Sequence, residues 1–160
     1  MKKWIWIAST LLLLLLTACS NEKSHETKHD NSAHEEGGDI REKTASIEVL
    51  PDFLNEKPED MQKIYTIAAK NKELLEQIPC YCGCGESVGH KDNYDCFVHQ
   101  NNGKAITWDD HGTKCGVCME IAVEAVRAQK AGQSVKEIRK AIDEKYKEGY
   151  AEPTPTPAVS

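Results

Sequence analysis

The sequence predicts a mainly α fold, with about three helices around a cysteine-rich loop and a short β-hairpin within that loop. Three observations predict it. Apolar residues recur at helical spacing over residues 58–78, 113–130 and 134–146. Residues 79–119 carry six of the seven cysteines and three of the six histidines, and no helical period runs between Gly85 and Asp110. Aromatic residues make up only 6% of the chain, so the core is modest and calls for a staple of metal or disulfide.

In chain order, Lys2 and Lys3 precede an apolar run from Trp4 to Leu16 that ends Leu16-Thr17-Ala18-Cys19. At about 13 residues the run is shorter than the ~20 of a spanning helix and matches a signal-peptide core. Its end resembles a bacterial lipobox. Residues 1–18 therefore read as a lipoprotein signal peptide and Cys19 as the lipidated mature N-terminus. Two acyl chains there would anchor the protein stably to the outer face of the cell membrane. An uncleaved anchor is the alternative, and it too places the remainder outside the cytoplasm. Residues 19–46 are polar and are expected to form a disordered tether. Its His25, His29 and His34 either scavenge metal ions or simply belong to a solvated linker.

The Cys-rich helical domain is expected over 47–150. Helix one starts at Pro58, with Glu59 and Asp60 on the positive end of its dipole. Met61, Ile64, Ile67, Ala68, Leu74, Leu75 and Ile78 form its apolar face, and Pro79 stops it. Asn101-Asn102-Gly103, between Cys96–His99 and Lys104–Trp108, is the hairpin signal, and Trp108 reads as a core anchor. Helix two runs from a Thr113 N-cap to Lys130, with Cys115, Cys118, Met119 and Ala122 on one face. Gly132 closes it, and Ser134-Val135-Lys136-Glu137 is a capping box opening helix three through Ile138, Ala141, Ile142 and Tyr146. Residues 151–160, rich in Pro and Thr, read as a disordered tail.

The thiols carry the chemistry. Cys80, Cys82 and Cys84 alternate with Tyr81 and Gly83, too tightly for relaxed bridges between neighbours, so their sulfurs are placed to converge on an ion. Cys96 and the pair Cys115 and Cys118 complete six candidate metal ligands, with His90 and the Met119 thioether as further candidates. An all-soft donor set suits Cu(I), with Zn second, since two zinc ions could share six thiolates. The reading is an exported metal-binding protein for storage, delivery or detoxification, partnered by the membrane and by a membrane protein that gives or receives metal. Two alternatives stand beside it. One is a surface binding module held by three disulfides, in one of 15 connectivities. The other is a redox protein using Cys115-Gly116-Val117-Cys118, whose spacing and place at a helix start lower a thiol pKa. The formal charge of −6 gives no footprint for nucleic acid. No Ser/His/Asp set, paired carboxylates or phosphate loop supports an enzyme.

Pro79-Cys80-Tyr81-Cys82-Gly83-Cys84 is identical to the motif that names the PCYCGC-motif lipoproteins of Gram-positive bacteria. Gly89-His90, Asp95-Cys96-Phe97 and the segment from Trp108 to Cys118 resemble the rest of that family's core, over roughly residues 58–148. The resemblance implies an exported, lipid-anchored protein and assigns no activity.

Overall fold

The computed structural model describes the backbone of residues 32–34 and all of residues 38–159. The leader, Cys19, His25 and His29 lie outside the described residues, as does the side chain of His34. Among the described residues no helix is long and apolar enough to cross a membrane.

The mainly α expectation needs correction, because an antiparallel sheet of four strands joins the helices. Its strands are β1 (Ser32–His34), β2 (Ile40–Thr44), β3 (Val98–Asn101) and β4 (Ile106–Asp109), in the order β1-β2-β4-β3. The hairpin β3–β4 turns at Gly103, whose φ of +79° explains the glycine there. Val98 pairs with Trp108 and Asn101 with Ile106, and a bulge between Val98 and Gln100 leaves His99 exposed on the sheet.

Strand β2 lies in the segment expected to be a tether. It pairs with β4 from Arg41↔Asp109 to Thr44↔Ile106, and polar contacts hold it more than apolar burial does. Arg41 Nε meets Asp109 Oδ2 at 3.0 Å, Asp110 Oδ1 accepts from Ile40 N at 2.7 Å, and Trp108 Nε1 donates to Thr44 Oγ1 at 2.8 Å. Low hydrophobicity did not leave this strand unfolded, because its partners arrive from more than 60 residues away.

The helical part comprises α1 (Glu59–Lys70), α2 (Lys72–Leu75), α3 (Cys84–Ser87), α4 (Gly116–Lys130) and α5 (Val135–Tyr146). Helix one is thus interrupted: Asn71, at φ −119°, separates α1 from α2, and its Nδ2 returns to Ile67 O at 2.7 Å. Helix α4 packs against α1, α2 and α5, burying Cys118, Ile121, Ala122, Ala125 and Val126. The Ser134–Glu137 capping box opens α5 as expected. Tyr65, fully buried, packs edge-on against Phe97 and donates to Asp109 O at 2.9 Å, tying α1 to the end of β4.

A 3₁₀ turn, Asp110–Lys114, leads from β4 into α4. Gly112 sits here under Phe97: a Cβ would fall 2.7 Å from Phe97 Cε1 and 3.0 Å from Cys96 O. This packing needs a residue without a side chain. The C-terminal tail is the second correction. Thr154 is buried, its N–H bonds Cys80 O at 3.0 Å, and its Oγ1 accepts from Cys80 N at 2.9 Å. Ala151 N also bonds Tyr81 O at 3.1 Å. Composition pointed to disorder, but the backbone of Cys80-Tyr81 supplies a strand-like edge that the tail pairs with.

Gly112→Ala is expected to destabilise the fold by about 1–3 kcal/mol through overpacking, read as a lowered thermal midpoint. Thr154→Val should cost a similar amount, about 1–3 kcal/mol, by orphaning the buried Cys80 N–H, whereas Thr154→Ser should unfold in urea nearly as the parent does.

Candidate metal centre

Three separate segments bring the thiols together, the first turning within itself at Gly83. Cys80 and Cys82 follow the α2 exit directly, so the packed Leu74, Leu75 and Ile78 position them. Gly83, at φ +86°, turns the chain into α3 and sets Cys84 at that short helix's start. Cys96 ends a 3₁₀ turn ahead of β3. Cys115 is the N-cap of α4, in place of the expected Thr113, and its Sγ accepts from Cys118 N at 3.4 Å. Asn93, fully buried, secures the assembly by bonding Ile78 O through its N–H at 2.8 Å and Cys118 O through Nδ2 at 3.1 Å.

None of the six described cysteines is in a disulfide. Cys80, Cys82 and Cys118 form a tight triangle, with Sγ–Sγ distances of 3.4 Å for Cys80–Cys82, 3.2 Å for Cys80–Cys118 and 3.4 Å for Cys82–Cys118. Cys115 reaches Cys82 but is not part of the mutually close set. Cys84 and Cys96, 3.8 Å apart, group instead with His90 and His111, the four donor atoms lying within 4.8 Å of one another. These Cys and Cys/His groups could hold a metal ion.

Three thiols at such separations cannot all ionise without a cation between them. Protons are therefore shared unequally. The bond from Cys118 draws Cys80 down to about 4, and bonds from Cys115 and then Cys118 draw Cys82 down as well. Cys118, crowded by the sulfurs of Cys115, Cys80 and Cys82, is pushed up and keeps its proton. A cation bound at this triangle would replace that proton. Cys80 and Cys118 are buried, while Cys82 and Cys115 are half-buried, so the triangle meets solvent on their side.

The histidines divide sharply. His90 is 5% exposed and neither of its ring nitrogens has a hydrogen-bond partner, although Nε2 lies 3.9 Å from Asp109 Oδ2. Burial lowers its pKa and keeps the imidazole neutral, the form that binds metal. His111 stands edge-on to His90 with ring centroids 4.8 Å apart. Its Nε2 is 3.8 Å from Cys82 Sγ and its Nδ1 is 3.1 Å from Asp39 Oδ2. Contact with Cys82 and then Asp39 raises its pKa to about 9. Burial pushes the Asp39 carboxyl up, but bonds from Lys114 and His111 outweigh that and hold it below its usual value.

His99 is exposed on β3 and takes no part. Met119, half-buried, packs against the hydrophobic core and is not brought into the sulfur triangle. Asp39 was not legible as part of the site, since it lies in a polar segment 72 residues from His111; the Asp109-Asp110-His111 run was the one local signal that charged groups gather there. Helix α4 is entered from an antiparallel strand and a 3₁₀ turn, a setting unlike the βαβ context of a thioredoxin-type Cys-x-x-Cys.

Among curated proteins, the chain is 28% identical over 150 residues to a protein named Foldase protein PrsA from Geobacillus kaustophilus (strain HTA426), an alignment covering 91% of this chain and 46% of that protein. The chain thus spans less than half the length of this relative. No solved structure matches. A family model described as "Protein of unknown function with PCYCGC motif" matches residues 8–159. With its motif at Pro79–Cys84 and that match over nearly its whole length, the chain belongs to the PCYCGC-motif family.

Proposed function

We propose that this is an exported, lipid-anchored protein that holds Cu(I) at the thiolate triangle Cys80, Cys82 and Cys118. The observation that carries the reading is the convergence of three unbridged sulfurs, each within 3.4 Å of the other two. Crowded free thiols outside the cytoplasm are oxidised unless something occupies them. Soft thiolate donors select Cu(I), and three of them suffice for it. Zn, the second candidate, closes its structural sites with four ligands, so at this triangle it would need Cys115 to move in beside Cys82. Half-buried Cys82 and Cys115 leave the ion reachable by a donor or acceptor protein, which favours delivery or storage over a permanently sealed structural site. The extracytoplasmic placement rests on the leader ending Thr17-Ala18-Cys19 and on membership of a family whose members resemble lipoproteins.

In an anaerobic titration against a competing chelator, the full chain should take up Cu(I) tightly, and Cys82→Ser should lose the triangle's copper together with the stability that copper confers, because binding free energy in such a site is folding free energy. Equal copper content and thermal midpoint in that variant would sink the proposal. Retention of Zn at the triangle in preference to Cu(I), with four sulfur neighbours by X-ray absorption, would replace copper by zinc. For the anchor, Cys19→Ser should move the protein from the membrane fraction to the soluble one in its native cell envelope; unchanged sedimentation would overturn the lipid anchor.

A further inference from the structure

We infer that the protein carries a second metal site, distinct from the thiolate triangle, in which Cys84, Cys96, His90 and His111 bind a divalent ion of zinc type. Four observations converge on it. The four donors lie within 4.8 Å of one another. The Cys84–Cys96 separation of 3.8 Å is what two thiolates need at a tetrahedral zinc ion with bonds of about 2.3 Å. Cys84, Cys96 and His90 are buried and His111 is half-buried, so the site is largely shielded from solvent, as a structural zinc centre is. Most telling is His90: a 5% exposed imidazole with two unpartnered ring nitrogens is a costly arrangement, and a bound ion would satisfy one of them.

Asp39 completes the arrangement from outside. A metal-bound imidazole commonly donates its other ring N–H to a carboxylate, which sets its tautomer and aim. His111 meets this condition: Nδ1 faces Asp39 Oδ2 at 3.1 Å, so Nε2 is the nitrogen an ion would take, in exchange for its proton. Asp39 is itself held by Lys114 Nζ at 3.1 Å, and Lys114 also grips Asp110 at 2.9 Å. Asp39 is a positioning residue here, and the N-terminal strand that contains its neighbours gains a role, since pairing of β2 with β4 brings it to the site. Two sulfurs with two nitrogens form a harder donor set than three sulfurs, so the two sites sort different ions. They stand side by side, with Cys82 Sγ and His111 Nε2 separated by 3.8 Å.

The second site uses donors outside the triangle, although Cys84 and Cys96 adjoin its sulfurs, so the two assignments are read out by separate ions. The test loads the full chain with one equivalent of Co(II), as a spectroscopic stand-in, and separately with one equivalent of Zn(II). Wild-type protein should give the intense visible bands of tetrahedral Co(II), and zinc-edge X-ray absorption should give a shell of two sulfurs and two imidazole nitrogens. His90→Ala should weaken Co(II) binding by at least tenfold while Cu(I) uptake at the triangle persists. Cys118→Ser should do the reverse. Asp39→Asn should weaken Co(II) about 10–100-fold with the tetrahedral bands retained at saturation. A zinc shell of three or four sulfurs in wild type, which needs no variant to fold, would overturn the inference, as would an unchanged Co(II) affinity in His90→Ala. Loss of Cu(I) uptake alone in wild type would refute the triangle assignment and leave the second site standing.

Discussion

The structure depends on the meeting of the α4 N-terminus with the Cys80-Tyr81-Cys82 segment. Cys80 and Cys118 bring their sulfurs to 3.2 Å from positions 38 residues apart, and Asn93 braces the same contact by bonding backbone on both sides. Neither segment could hold this approach alone. The Pro79–Cys84 stretch has almost no regular structure, and a helix N-terminus leaves N–H groups unsatisfied. Each supplies what the other lacks: α4 gives a rigid base, and its first turn closes on Cys115 as a cap.

Around this contact the fold is a set of clamps. The α1 helix ties down β4 through Tyr65, β4 ties down β2 through Arg41–Asp109 and Trp108–Thr44, and β2 delivers Asp39 to His111. From the other side the C-terminal tail pairs with Cys80 and Tyr81. Tyr81 is further pinned by its hydroxyl on Asp143 at 2.6 Å and by stacking on Tyr146 of α5. The thiol-rich segment is thereby held by contacts from elements that carry few metal-binding groups of their own. That is the preorganisation a selective site requires, because ligands fixed in advance bind without the entropy cost of ordering them.

The half-burial of the site has a physical consequence. Fully enclosed thiols would be protected but inaccessible; exposed ones would oxidise. Here Cys80, Cys84, Cys96 and Cys118 are buried while Cys82, Cys115 and His111 are only partly so, so the sulfurs meet solvent through the latter group. The acidic character of the chain suits a cation-handling surface.

Local patterns reach far in this chain. The helical periods of α4 and α5, the Ser134 capping box and the Asn-Gly hairpin follow from neighbours in sequence, because propensity, capping and turn chemistry act over a few residues, whereas the meeting of the six thiols is a long-range contact between positions as far as 38 residues apart. The division of those thiols into a triangle and a Cys/His group does not follow, since it turns on which sulfurs face which after α3 bends at Gly83. The break at Asn71 was equally hidden, as the apolar period runs through it. The β2 strand and the tail were missed for one reason: both are polar segments whose order comes from hydrogen bonds to distant backbone and side chains, and composition records only what a segment could bury. Residue types told which donor atoms this protein carries; long-range pairing of polar groups chose which of them stand together.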